Sequence, residues 1–165
     1  MVIYSGILVA YRLNESNKEE LSETITADTL IYSGLEDYTL SSGSSARHYY
    51  YFLVPDSNDS IYMTNTVLST VEKDTGLQLS TILEYVDLSA LDDKYDVSEM
   101  QEKWHVSGYP SFIACHVENG AIVIDNAIES TVDLPLSAEN VEVWLMTNGL
   151  YTTYSEAPLE TAAPD

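Results

Sequence analysis

Basic side chains are scarce in this chain: its 165 residues hold 6 Lys and Arg against 27 Asp and Glu, a formal charge of −21. Phosphate-binding surfaces are built by neutralising charge with Lys and Arg, so this shortage argues strongly against a nucleic-acid partner or an anionic membrane surface. Thiols are scarcer still. A single cysteine, Cys115, excludes an intramolecular disulfide framework, an intramolecular dithiol couple and a four-cysteine zinc site. Long apolar runs are missing as well. No stretch approaches the roughly 20 apolar residues of a spanning helix, so membrane insertion is not expected. The apolar segment Val2 to Tyr11 is short, broken by Ser5 and Gly6, and has no basic leader, so it does not read as a signal peptide.

What the chain does hold is 45% hydrophobic residues, including 13 tyrosines and 2 tryptophans. That is enough apolar material, at this length, for one domain with one well-formed core. Its partners are expected to be cationic, neutral or apolar. Asn14-Glu15-Ser16 and Asn58-Asp59-Ser60 fit the glycosylation triplet, a pattern common by chance.

Hydrophobic patterning gives the element order. Val2 to Leu13 reads as extended, and Leu21 and Ile25 share one face of a polar helical stretch. From Ala27 to Leu40 apolar residues recur without clean periodicity, and Ser41 to Ser45, centred on Gly43, is a loop signal. Tyr49 to Val54, ended by Pro55, reads as a buried strand. Ser57 to Asp59 is turn-like. Met63, Val67, Leu68 and Val71 then recur at helical spacing until Gly76. Thr81 to Val86 reads as a second strand. Asp96 and Glu99 resemble a capping box, opening a helix with Val97, Met100 and Trp104 on one face. Beyond Pro110, Ser111 to His116 and Ala121 to Ile124 form a hairpin turning at Asn119-Gly120. A last helix starts near Ser137, carries Val141, Trp144 and Leu145 on one face, and stops at Asn148-Gly149. From Tyr49 onward this order predicts an α/β fold, a mixed central sheet with helices on both faces. Residues 1–48 are expected to form an N-terminal extension of a strand and a helix, open to joining the same sheet. Residues 49–150 form the main domain, and 151–165 a disordered acidic tail.

The segment Tyr49 to Gly149 resembles the thioredoxin-like family. Trp104-His105-Val106-Ser107-Gly108-Tyr109-Pro110-Ser111 is similar to the family's segment of a valine, a few variable residues and a cis-proline followed by Thr or Ser. The turn at Asn119-Gly120 is similar to the family's hairpin after that proline. Tyr49 to Asp56 is similar to the buried strand that leads into the redox motif. In style the chain looks like the acidic members from Gram-positive bacteria, including bacteriocin-transport accessory proteins. Where the family carries Cys-x-x-Cys, this sequence reads Ser57-Asn58-Asp59-Ser60. Family chemistry needs a thiolate at a helix N-terminus, and a serine hydroxyl neither ionises there nor takes part in thiol–disulfide exchange. Ser57 and Ser60 are therefore degenerate redox positions. They arose by natural loss, or by exchange of both cysteines in an oxidoreductase; the survival of Cys115 favours the former.

Other chemistries fit less well. A nucleophilic serine needs a histidine base and an oxyanion hole, and His48, His105 and His116 sit in no hydrolase motif. Cys115 alternates with Ile113 on one face of a central strand, with Phe112 and Ala114 on the other, and is expected to be an inert core thiol. The loop from Asp56 fails the calcium-loop pattern, with Ile61 where glycine is needed and Val67 where glutamate is needed. The acidic residues Asp87, Asp92, Asp93 and Asp96 read as a solvated face. No metal or cofactor is implied. The resemblance then implies a redox-inactive accessory or chaperone-like module. It would hold an extended peptide or protein client through Gly108, Tyr109 and Pro110, facing Asn58, Asp59 and the helix start. The acidic surface favours cationic clients. The alternatives are a thiol–disulfide oxidoreductase with both cysteines exchanged for serine, and an acidic cation-buffering or halophilic protein.

Overall fold

The computed structural model describes residues 29–91 and 97–153. The expected strand and helix before residue 29, the cap at Asp96, the acidic residues Asp92 and Asp93, and most of the acidic tail lie outside the described residues. The elements are strand β1 (Leu30–Ile31), helix α1 (Leu35–Ser41), strand β2 (Arg47–Leu53), the helical stretch α2 (Asn58–Tyr62, Met63–Leu68 and Ser69–Thr75), strand β3 (Glu84–Asp87), helix α3 (Val97–Trp104), strands β4 (Ser111–Glu118) and β5 (Ala121–Glu129), and helix α4 (Ala138–Thr147). The strands form one five-stranded sheet in the order β1-β3-β2-β4-β5. β1, β3 and β2 run parallel, while β4 is antiparallel to both β2 and β5. The chain is therefore α/β, with a mixed sheet.

Alternation along β2 sorts the core into two layers. Tyr51 and Leu53, with Tyr85, Phe112 and Ala114, face Met63, Val67, Leu68 and Val71 of α2 and Val141, Trp144 and Leu145 of α4. Tyr50 and Phe52, with Val86, Ile113 and Cys115, face Leu35 of α1 and Met100 and Trp104 of α3. Helices thus cover both faces, and β2 is apolar and buried from Tyr50 to Leu53, where neither face meets water. Cys115 is fully buried in the second layer. Burial pushes its thiol up to about 12, assisted by the nearby Glu84 and Asp125 carboxylates, which fits an inert core thiol.

Local chemistry explains the element ends. Gly76 stops α2 at φ +74°, a left-handed conformation that glycine adopts without steric cost. Asn119 and Gly120, at φ +52° and +76°, give the hairpin its tight turn. Ser137 caps α4 in a reciprocal box with Asn140.

Several boundaries differ from the sequence reading. The strand read as Thr81 to Val86 begins only at Glu84, because Leu79–Thr81 forms a 3-10 turn in which Leu79 O accepts from the amides of Ile82 and Leu83. β5 runs five residues further than the expected Ile124, since a bulge at Asp125 lets pairing resume down to Glu129. Val97 lies on the open side of α3 while Met100 and Trp104 are buried. β2 starts at Arg47, across the expected boundary at 48, and β1 joins the same sheet beside β3. Tyr151 leaves the expected tail to pack against the α4 layer. Among the described residues no helix is long and apolar enough to cross a membrane.

Candidate functional site

The carboxyl end of β2 and the start of β4 meet at one end of the sheet. Phe52 pairs with Ser111, so Pro110 and the loop before it leave the sheet beside the chain running from Leu53 into α2. Leu88 N donates to Leu53 O at 2.9 Å, bringing the segment after β3 to the same end. The Tyr109–Pro110 peptide bond is cis, as the resemblance led one to expect. Gly108, Tyr109 and Pro110 are thus gathered at the same end of the sheet as Ser57, Asn58 and Asp59.

The two serines are occupied by the backbone. Ser57 has extended dihedrals and caps α2, its Oγ accepting from Ser60 N at 3.1 Å. Such a cap satisfies one of the amides that a helix start leaves without a partner. Ser60 is buried, and its Oγ accepts from Val54 N at 3.0 Å, closing the turn between β2 and α2. The Tyr51 hydroxyl donates to Ser60 O at 3.4 Å and bonds Thr64 Oγ1 at 3.1 Å. Burial pushes the Tyr51 hydroxyl well above the ordinary tyrosine range, while the Thr64 bond opposes that shift. Nothing here makes either serine a nucleophile.

The proline loop is held from β5. Glu129 Oε2 accepts from Ser107 N at 2.7 Å, and Ser130 N donates to Pro110 O at 2.8 Å. The Ser111 hydroxyl donates to Gly108 O at 2.8 Å. Sequence reading missed Glu129 because a charged residue at the end of a strand carries no local motif. His105 leads into this loop at φ +61°, where it is exposed and takes the place glycine often fills after a helix.

The rim of this end combines apolar and acidic side chains. Tyr109 is 39% exposed, Ile61 and Tyr62 on the first turns of α2 are 44% and 59% exposed, and Val132 and Leu134 are 100% and 75% exposed. Val132 and Leu134 belong to the loop that begins at Ser130, the residue bonded to Pro110. Asp56, Asp59 and Asp133 are exposed around them, and Asn58 is exposed at the first position of α2. These side chains add nothing to the buried core, since they stand open to water. Val132 and Leu134 had no periodic signal in the sequence to mark them. Compared with known protein families and with characterised proteins, the chain matches none.

Proposed function

We propose that this protein is a redox-inactive, thioredoxin-like binding module that holds an extended cationic segment of a peptide or protein client. The observation that carries this reading is the register of Phe52 with Ser111, which sets the start of α2 beside the loop ending in Pro110. A cis Tyr109–Pro110 bond ahead of an Asn-Gly hairpin, and a mixed sheet covered on both faces, accord with the resemblance. Ser57 and Ser60 supply no exchangeable thiol, so the end of the sheet keeps its shape without a dithiol cycle. Tyr109 offers a rigid aromatic body for the client to lie against, and the exposed Asp56, Asp59 and Asp133 set the sign of the charge it prefers. Extended segments bind such sites through main-chain hydrogen bonds, with side-chain pockets adding selectivity.

The test is a panel of unstructured peptides that interleave aliphatic residues with Lys, with Glu or with Ser, titrated into the intact chain. Lys peptides are expected to bind best, with an affinity that falls as salt rises. Tyr109→Ala is expected to weaken binding about 5- to 30-fold, the range for loss of an aromatic anchor. Equal binding of all three peptides, or no effect of Tyr109→Ala, would overturn the reading. The scaffold is tested separately by Ser57→Cys with Ser60→Cys, which is expected to restore disulfide reduction.

A further inference from the structure

The chain carries two Asn-Gly pairs, Asn119-Gly120 and Asn148-Gly149, and the fold holds them in opposite ways. In such a pair the glycine nitrogen can attack the side-chain carbonyl carbon of the asparagine, because glycine has no side chain to hinder the approach. At the tip of the β4–β5 hairpin, Glu118, Asn119, Gly120 and Ala121 are all exposed. Asn119 and Gly120, at φ +52° and +76°, are the central residues of a turn closed by the pair Glu118 and Ala121. The closing bonds of such a turn belong to the flanking pair, and they leave the Gly120 amide out. Among the described residues no hydrogen bond reaches that amide or the Asn119 side chain, and a Cβ built on Gly120 would touch nothing. Asn148-Gly149, at the end of α4, is tied on every side. Asn148 Nδ2 donates to Asn126 Oδ1 at 3.0 Å and to the Trp144 carbonyl at 2.7 Å, and its Oδ1 accepts from Asn126 Nδ2 at 2.8 Å. Gly149 N, the atom that would attack, donates to Met146 O at 3.0 Å.

From this contrast we infer that Asn119 is a site of spontaneous covalent modification, deamidating through a succinimide in the folded chain while Asn148 is protected. Gly120 N loses its proton to hydroxide and forms a bond to Asn119 Cγ. The bond from Cγ to the side-chain nitrogen breaks, and that nitrogen takes up a proton and leaves as ammonia. Water then opens the ring. Cleavage between the ring nitrogen and Cγ gives aspartate, and cleavage between that nitrogen and the former main-chain carbonyl gives isoaspartate. One water is consumed, one ammonia is released, and nothing is oxidised or reduced. Either product sets a new carboxylate beside the exposed Glu118. Isoaspartate also carries the main chain through an extra carbon in a turn of two residues, so it acts first on the pairing of Glu118 with Ala121. That pair lies at the opposite end of β4 and β5 from Ser111 and Glu129, so the modification stands apart from the client reading.

The experiment is incubation of the intact chain in mildly alkaline buffer, with and without urea, followed over time by peptide mass mapping. In the folded chain the mass gain of an amide-to-acid exchange is expected in the peptide holding Asn119, divided between aspartyl and isoaspartyl forms. Reaction at Asn148 first requires its hydrogen bonds to break, and it is expected to be about 100-fold slower. In urea, where those bonds are lost, the two pairs are expected to react at similar rates. Asn126→Ala, checked for folding by circular dichroism, removes two of the bonds on Asn148 and is expected to speed reaction there about tenfold while leaving Asn119 unchanged. Similar rates at the two pairs in the folded chain, or an Asn119 that reacts in urea and not in the fold, would overturn the inference.

Discussion

The two ends of β2 use the same side chain in opposite ways. At the carboxyl end, Ser57 and Ser60 accept hydrogen bonds from backbone amides, and both oxygens are tied into the turn between strand and helix. At the amino end, Ser42 faces an imidazole that is held by a carboxylate. At the first end both serines bond peptide groups, whose charge does not change with pH. The second gathers titratable groups: His48, Glu84, Tyr38, Tyr50 and Cys115 all lie within one layer or beside it. The lesson is that a serine takes its chemistry from its partner. An amide donor makes it a helix cap, and an imidazole beside it ties the end of α1 to β2.

This contrast is broken most severely by alkali. Cys115 is buried so deeply that its thiol is pushed up to about 12 from an ordinary 9.0, and burial also raises Tyr50, Tyr51 and Tyr85 above the usual range for tyrosine. Between those two thiol values the native state keeps a proton that the unfolded chain has released. Stability therefore falls as pH rises through that window, by up to about 4 kcal/mol at its upper end for Cys115 alone. Urea midpoints measured from neutral pH to pH 11 are expected to drop accordingly. Cys115→Val should flatten the slope, and an unchanged slope would show that the thiol ionises freely in the fold. Next in size is His48→Leu. Removing the imidazole strips a hydrogen bond from a half-buried carboxylate, costing about 2–3 kcal/mol. Glu84→Gln combined with it should recover part of that loss, since the carboxyl group that has lost one of its two side-chain partners is then replaced.

The two ends also differ in how far they could be read from sequence. The carboxyl end was visible because its signals are local. A buried aromatic run ended by proline, a serine before a helical pattern, and a proline before an Asn-Gly hairpin each lie within a few consecutive residues. The amino end was not, because Ser42, His48 and Glu84 come from three elements and meet only once β2 pairs with β3 and α1 docks over Tyr50. Glu129 was missed for the same reason, being brought to Ser107 across 22 residues. Thr81 to Leu83 were read as the start of a strand because a short run of β-branched and aliphatic residues has no period long enough to separate strand from the end of a 3-10 turn. Val97 was assigned to the buried face on spacing alone, and a helix of eight residues tolerates an apolar residue at its exposed start.

Smaller effects sharpen the comparison at the carboxyl end, where the serines are read as structural. Ser60→Ala leaves the Val54 amide without its acceptor in a partly buried turn, at a cost of about 1–3 kcal/mol in urea unfolding. Ser57→Ala removes a helix cap whose oxygen is less buried, and the loss is about 1 kcal/mol. The ordering of the two is the informative part. A cap lost near solvent can be replaced by water, whereas the amide behind Ser60 has no such substitute. Equal losses would mean that water reaches Val54 as easily as it reaches Ser57. Should Ser60→Ala prove neutral, Ser60 would be dispensable to the fold, and its place in this turn would need a reason other than stability.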